Sequence, residues 1–348
     1  SPDGRQIAYV AIARPENEEA VAGATSVWVR DLDSPEPRHL ADVDGDAYPF
    51  WSPDGRWIGF HSAGKLNKIE ARGGAVVPLC DAADGRGGTW SDGGVIIFQR
   101  GWSDPLMKVP AGGGTAEAVT TLDRERFELA HRWPHFLPDG RHFLVYLVST
   151  TSPATSEHSG IYIGSIDSDE TTFLMKSESR ALYARGHLLY RAGSTLMARP
   201  FDPSAREFTG EPTPVATDVP GGAISWGGAQ FGVSDNDVLV HMSGTQASLS
   251  VLTWRDRDGE ALGTMGEQGG YWEPALSHDG SRVAVAMGLD AGDIWIYDLE
   301  RDTRTRFTFD PADDRQPLWS PDDEQLAFSS GKTAVGEIWV RPTSGQGE

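Results

Sequence analysis

WSPDGRWIGF, residues Trp51 to Phe60, is the stretch that decides how this chain is expected to fold. It reads as the end of a buried strand, a tight turn and the start of a second strand. In Ser52-Pro53-Asp54-Gly55 the proline fixes φ, the aspartate can hydrogen-bond to nearby backbone, and the glycine tolerates a positive φ. Trp57, Ile58 and Phe60 then lie among small residues, as on a strand covered on both faces. The stretch therefore predicts a β-hairpin inside a packed sheet.

The same turn recurs along the chain at spacings of about 39 to 51 residues, which indicates a repeat protein. Clear copies begin at Ser1, Ser52, Ser91, Leu137, Ser277 and Ser320, and degenerate copies lie at Ala184-Arg185-Gly186 and Ser234-Asp235-Asn236. An apolar strand such as VIIFQR follows the turn, and then a strand with alternating large residues such as DIWIYDL. Short strands at this period predict an all-β fold, a β-propeller of four-stranded antiparallel blades.

We expect one propeller domain, residues 1–348. Its eight repeats cover approximately 1–42, 43–82, 83–122, 127–176, 177–218, 224–266, 268–310 and 311–348. The first repeat lacks an inner strand and the last stops after its third strand, so both are expected to be incomplete. An eight-bladed ring, a seven-bladed ring and a piece of a longer array all remain open. Arg14–Thr25 and Ser149–Ser159 are expected to be exposed loop insertions.

Composition excludes several classes of partner. The 51 acidic and 30 basic residues give a net charge of −21, which disfavours nucleic acid and anionic membranes. No apolar stretch approaches the ~20 residues of a membrane helix, so no insertion of this segment is expected. The one cysteine, Cys80, allows no intrachain disulfide. No cofactor is predicted.

The Ser-Pro-Asp-Gly-Arg turn, followed by a strand and then an Ile-Trp-Val type of strand, closely resembles the TolB-like, WD-repeat-like propeller repeat of bacteria. This resemblance covers essentially the whole chain. A narrower one begins at HLLYRAGSTLMARPFDPSAREFTGEPTPVATDV, His187 to Val219, and continues through FGVSDNDVLVHMSG and DIWIYDLERDTRTRFTFDPADDRQPLWSPD. That order resembles the propeller region of bacterial receptor-type serine/threonine kinases. It implies a sensory or protein-interaction module in the periplasm or at the cell surface, with the cytoplasm as the alternative. Kinase activity is not implied, because no kinase residues are present.

Candidate metal ligands are few. His131 and His135 share a face of an ideal strand but stand roughly 13 Å apart, so without a bulge they could not hold one ion. Asp42, Asp44 and Asp46 alternate with the spacing of oxygen ligands but lack the distal glutamate of a calcium loop. We therefore predict no metal and keep these five residues as weak candidates.

Two enzyme-related alternatives remain open. One is a metal-dependent propeller enzyme similar to oligogalacturonate lyases. The other is the regulatory propeller of a prolyl-oligopeptidase-like peptidase without its catalytic domain, since no Gly-x-Ser-x-Gly motif occurs.

Residues just before each inner strand are expected to surround the central channel on one face. Pro49, Pro134, Pro274 and Pro317 set the register. The resulting candidates for ligand binding are Tyr48, His131, Arg132, Trp133, Arg180, Gln230, Trp272, Glu273 and Arg315. Such a mixture suits a polar peptide segment or a sugar, so we predict a non-catalytic scaffold with a protein, peptide or carbohydrate partner. Alternatively, Arg–Asp pairs, such as Asp314 with Arg132 or Arg315, hold neighbouring blades together.

Overall fold

A computed structural model describes residues 1–12, 25–45, 47–149, 158–220, 227–236, 238–242, 250–258, 260–288, 292–309, 312–331 and 337–344. Both expected loop insertions, and Asp46, fall largely or wholly outside these ranges. Within them, no helix has the length and apolar character needed to cross a membrane. The chain divides into two compact units, Ser1–Thr245 and Gln246–Glu348, called the first and second units below.

The first unit contains a series of antiparallel sheets, each built from consecutive strands. Its strands are β1 (Gln6–Ile12), β2 (Thr25–Asp31) and β3 (Pro37–Val43); β4 (Phe50–Trp51), β5 (Trp57–Ser62), β6 (Lys65–Glu70) and β7 (Val77–Asp81); β8 (Gly88–Trp90), β9 (Val95–Gln99), β10 (Leu106–Pro110) and β11 (Glu117–Ala118); β12 (Glu128–Phe136), β13 (His142–Ser149), β14 (Gly160–Ser165) and β15 (Ser168–Lys176); β16 (Ala181–Ala184), β17 (His187–Ala192), β18 (Thr195–Asp202), β19 (Glu207–Phe208) and β20 (Thr213–Ala216); and β21 (Phe231–Val233) and β22 (Leu239–His241).

The second unit has the same kind of sheets. Its strands are β23 (Ser250–Arg255) and β24 (Ala261–Gly269); β25 (Tyr271–Leu276), β26 (Arg282–Met287), β27 (Asp293–Asp298) and β28 (Thr303–Arg306); and β29 (Asp314–Trp319), β30 (Gln325–Ser330) and β31 (Glu337–Pro342). The sequence repeats thus correspond to sheets, except that the strands of the sixth repeat are divided between the two units. The single domain 1–348 stays a prediction.

The repeated turn joins the first two strands of a sheet. In the second copy the Gly55 N–H donates to Ser52 O at 2.9 Å, and Gly55 has a φ of 67°. The Ser52 hydroxyl accepts from Trp57 N at 2.8 Å and donates to Asp54 Oδ1 at 2.6 Å, which also accepts from Arg56 N at 3.0 Å. The same serine and aspartate contacts recur in the turns that begin at Ser1, Ser277 and Ser320. The aspartate therefore serves the turn itself.

Successive sheets of the first unit pack face to face. Side chains alternate along a strand, and in β9 both faces are apolar. Ile96 and Phe98 pack with Leu66 of the preceding sheet, whereas Ile97 packs with Phe143 of the following sheet. All five side chains are fully buried. This two-sided burial explains why the strands that follow the turns read as continuous apolar runs.

The first repeat also contacts the sixth. The Asp235 N–H donates to Pro2 O at 3.0 Å, and Asn236 Nδ2 donates to Asp3 O at 2.7 Å. A Cβ on Gly55 would lie 3.8 Å from Pro2. Within the first unit, the first turn therefore lies beside both the second and the sixth.

Candidate functional site

The inner strands bulge at the residue before each aligned proline. Tyr48, Trp133, Glu273 and Gln316 all have a positive φ, between 45° and 56°, and Gly87 takes this place in the third repeat with a φ of 77°. In the strands that contain Trp133, Glu273 and Gln316 the pairing register shifts at the same point. A left-handed non-glycine residue costs on the order of 1–3 kcal/mol and persists where its surroundings fix it. The repeat thus imposes one backbone conformation on different side chains.

The bulge separates the two candidate metal-binding histidines. His131 pairs with Leu147 and His135 with Leu144, so the histidines face opposite sides of the sheet. This corrects the expectation of a shared face, which assumed a regular strand. His131 is fully buried, with Nδ1 2.8 Å from Thr120 Oγ1 and Nε2 3.2 Å from Glu128 Oε2. Its contacts are those of an internal blade residue.

Three arginines from consecutive inner strands meet aromatic rings in the first unit. Arg86 precedes β8, Arg132 lies in β12 and Arg180 precedes β16. We call these three, with the neighbouring rings, the arginine cluster; the rings are Tyr48, Trp102, Trp133 and Phe231. The guanidinium carbons of Arg86 and Arg132 lie 5.2 and 4.3 Å from the centre of the Trp102 ring. Such cation–π contacts contribute about 0.5–2 kcal/mol each.

Arg132 is the most enclosed member. Its side chain is fully buried, and its Nη2 donates to Trp102 O at 3.0 Å. Its Nε and Nη1 have no hydrogen-bond partner among the described residues. Burial, reinforced by the charge of Arg86, lowers the pKa of Arg132 to about 10. At neutral pH this is still a cation, held in an unfavourable environment.

Arg86 sits between Tyr48 and Asp84. Its guanidinium carbon lies 5.2 Å from the Tyr48 ring centre, and its Nη1 donates to Asp84 Oδ1 at 2.5 Å. The Tyr48 ring in turn contacts Trp133 edge to face, with centres 4.9 Å apart. Beneath them, burial lowers the pKa of His61 to about 4, so this imidazole is neutral.

Arg180 closes the other side of the cluster. Its guanidinium carbon lies 5.4 Å from the Trp133 ring centre and 5.7 Å from that of Phe231. Its Nη2 donates to the carbonyl oxygens of Ala229 and Phe231 at 3.2 and 2.8 Å. Burial lowers the pKa of Arg180 to about 10. Gln230, between those two carbonyls, is half-buried and its own backbone oxygen accepts from Met242 N.

The remaining candidates form a separate group in the second unit. The Arg315 guanidinium carbon lies 5.2 Å from the Trp272 ring centre, and its Nε donates to Asp313 Oδ2 at 2.8 Å. Exposed Glu273 accepts from Gln316 N at 2.8 Å. Arg315 thus pairs with Asp313, its neighbour in sequence, and the use of any of these residues for binding stays a prediction.

Metal-ligating side chains do not converge in the part of the chain that the structure describes. No group of three or more His, Cys, Asp or Glu residues is placed to hold an ion there. Asp42 accepts from His39 Nε2 at 2.8 Å and from Ser26 Oγ at 2.9 Å. The Asp44 N–H donates to Ser62 Oγ at 3.1 Å, and Asp46 lies outside the described residues.

Sequence reasoning missed Arg86 and Trp102. Proline alignment passes over the third repeat, which has Gly87-Gly88 where four other repeats have a residue followed by proline. Alignment on the first residue of the turn finds Arg86, since it precedes Ser91 by the same five positions that separate Arg132 from Leu137 and Arg315 from Ser320. Trp102 follows the second strand, in a connection whose length varies, and no periodic signal marks it.

No protein-family model matches the chain, and no curated protein matches it. Among solved structures, TolB from Acinetobacter baumannii is 16% identical over 62% of this chain, with a TM-score of 0.46. The chain spans 53% of that TolB. A TolB of Agrobacterium tumefaciens is 16% identical with a TM-score of 0.32, covering 90% of this chain and 82% of that one. The Dos1 propeller is 11% identical with a TM-score of 0.38, covering 94% and 88%. At these identities any likeness concerns the fold alone.

The consecutive four-stranded antiparallel sheets confirm the predicted all-β fold of propeller blades. The number of blades stays a prediction.

Proposed function

We propose that the chain is a non-catalytic binding scaffold that holds a protein or peptide partner at the arginine cluster. The observation that carries this proposal is the meeting of Arg86, Arg132 and Arg180 with aromatic rings from several repeats. Arginine, tryptophan and tyrosine are the residues that most often dominate binding energy in protein interfaces. Trp102 is 39% exposed and so offers an aromatic surface to a partner.

The narrower resemblance to the propeller regions of receptor-type kinases supports a sensory or interaction role in a larger bacterial protein. On the same ground we propose an extracytoplasmic location. Carbohydrate is the alternative ligand, because aromatic rings beside polar groups also suit sugars.

Selection of a displayed random peptide library on the immobilised protein tests this function. We expect a recurrent peptide motif on the wild type and at least tenfold weaker binding to Trp102→Ala, a loss of about 1.4 kcal/mol or more. Trp254→Ala is the matched control, because Trp254 is 36% exposed but belongs to the second unit. Absence of any enriched motif, or equal losses in the two variants, would contradict the proposal.

A further inference from the structure

We propose that the Arg86–Arg132 pair receives a single carboxylate group of the ligand, with Tyr146 as an additional donor. The inference rests on the proposed function, because it names the chemical group by which a partner is held at this cluster. It extends that function by specifying charge and size.

The unused hydrogen-bond donors carry the argument. Arg132 Nε and Nη1 are buried and have no partner among the described residues. Tyr146 pairs with Arg132 across β12 and β13, is also fully buried, and its hydroxyl likewise has no partner in the described part. Leaving buried donors unsatisfied destabilises a protein, and a charged donor more so. Oxygen atoms of an anion would satisfy these groups with charge-assisted hydrogen bonds.

The charges around Arg132 favour an anionic ligand. The positive charge of Arg86 lies close enough to Arg132 to help lower the pKa of Arg132. Asp84 is the described carboxylate that acts on Arg132, and it is bonded to Arg86. Arg132 itself has no ion pair with a described carboxylate. A ligand carboxylate would supply a negative charge and two acceptor oxygens.

The second unit provides a contrast at the equivalent position. Arg315 also lies in an inner strand, one residue before the left-handed position, and is also near a tryptophan, Trp272. Its guanidinium is bonded to the carboxylate of Asp313 at 2.8 Å. The chain therefore neutralises this arginine internally, whereas Arg132 has no carboxylate within ion-pair distance among the described residues.

Access to Arg132 lies beside Trp102. The indole covers the guanidinium at 4.3 Å, yet it is 39% exposed, and the side chain of Asp84 is 53% exposed. The pair thus lies one side chain below the surface, and rotation of the indole would open it. Rotamer changes of this kind are common when proteins bind.

The overall charge of the protein disfavours ligands with many negative charges. A protein with a net charge of −21 repels polyanions at long range, so the Arg86–Arg132 pair can attract an anion only at short range. A single carboxylate is repelled least and can still bind at short range. It can be a peptide C-terminus, an acidic side chain or a small free carboxylic acid.

Titration of tryptophan fluorescence with matched probes tests the proposal on the full chain. The probes are one N-acetylated Gly-Ser hexapeptide as the free acid, as the amide, and as the amide with one internal glutamate, together with glutarate and inorganic phosphate. We expect saturable binding of a carboxylate probe below ~10 mM and at least tenfold weaker binding of the plain amide. The two peptide acids distinguish a C-terminus from a side chain, and glutarate alone would indicate a free acid.

Two variants separate a binding role from a structural one. Arg132→Met is expected to weaken carboxylate binding at least tenfold, and Tyr146→Phe several-fold. Because Tyr146→Phe removes an unsatisfied buried hydroxyl, its melting temperature should stay equal to or rise above the wild-type value. Arg315→Met is the matched control and should bind as the wild type does.

Several outcomes would overturn the carboxylate assignment. These are equal binding of acid and amide, binding of phosphate only, no saturable binding of any carboxylate, or the same loss in Arg315→Met. A library motif without an acidic group, whose binding needs Trp102 but not Arg132, would refute the carboxylate assignment and still support the scaffold function. Glutarate binding without any enriched peptide motif would support the carboxylate assignment and refute the scaffold function.

Discussion

His61 is enclosed by the inner strands, and its burial makes the stability of the first unit dependent on pH. His61 is 3% exposed, its Nε2 lies 3.4 Å from Gly87 O, and Arg86 and Asp84 are the charged groups that act on it. Burial lowers its pKa from 6.5 to about 4. The unfolded chain therefore binds a proton near pH 6.5, whereas the folded chain resists it until about pH 4.

We expect the contribution of neutral His61 to the free energy of unfolding to be fully present above pH 6.5. As the pH drops toward 4 this contribution should be lost, which lowers the free energy of unfolding by an amount of order 3 kcal/mol. His61→Gln should remove that share of the pH dependence, measured by urea unfolding between pH 7 and 4.5. His187→Gln, at an exposed histidine, is the control. Identical pH profiles for wild type and His61→Gln would refute this reading.

Gly87 meets a demand of both backbone and space. It has a φ of 77°, and a Cβ there would lie 2.8 Å from Trp133 Cε3. Gly87→Ala should therefore destabilise the protein by about 2–4 kcal/mol, from left-handed strain together with overlap. Gly94→Ala has a nearly equal φ of 75° but open space, so strain alone should cost about 1 kcal/mol. Equal losses in urea unfolding would show that Trp133 moves aside without cost.

At the scale of the element, the aspartate of the repeated turn should stabilise the protein only in those copies where its side chain accepts hydrogen bonds. Asp54 accepts hydrogen bonds from Ser52 Oγ and Arg56 N, and these bonds hold its pKa below the usual value. Asp54→Ala should destabilise the chain by about 1 kcal/mol at pH 7. Asp92, in the third copy, makes no hydrogen bond in the described part, so Asp92→Ala should change little. Thermal unfolding of the two variants, compared with wild type, checks the difference.

The elements themselves could largely be predicted from sequence. Turn residues and apolar runs are local signals, and the strands that follow the turns at Trp57, Val95 and Arg282 lie where those signals place them. The bulge could not be predicted in the same way, because it arises from strand pairing. It placed His131 and His135 on opposite faces of the sheet. Arg86 was detectable by a better alignment, whereas Trp102 was not.

At the scale of the molecule, the first turn contacts the sixth turn, which lies more than two hundred residues later in the sequence. This contact is expected to contribute to the stability of the first unit. Asn236→Asp is a sharp test, since its Oδ1 can still accept from Ser234 Oγ while the donor to Asp3 O is lost. We expect a loss of about 1–2 kcal/mol in urea unfolding, through the broken hydrogen bond and repulsion from Asp235.

Asp54→Asn is the control, because it makes the reverse exchange in the second turn and should hardly change the free energy of unfolding. If Asn236→Asp were as stable as the wild type, the contact between the first and sixth turns would not contribute to stability. The sequence could supply the period of the repeats but not this contact, because its two residues lie more than two hundred positions apart.

The left-handed residue at or just before these five inner strands has one more consequence, for how such a protein can change over time. Because the backbone conformation is met by tyrosine, glycine, tryptophan, glutamate and glutamine alike, it does not depend on which side chain is presented. The position just before it holds alanine, arginine or tryptophan in different repeats. Substitutions there can therefore accumulate one repeat at a time, each changing the side chain at this position while the backbone conformation is kept. A new side chain at this position needs no new loop.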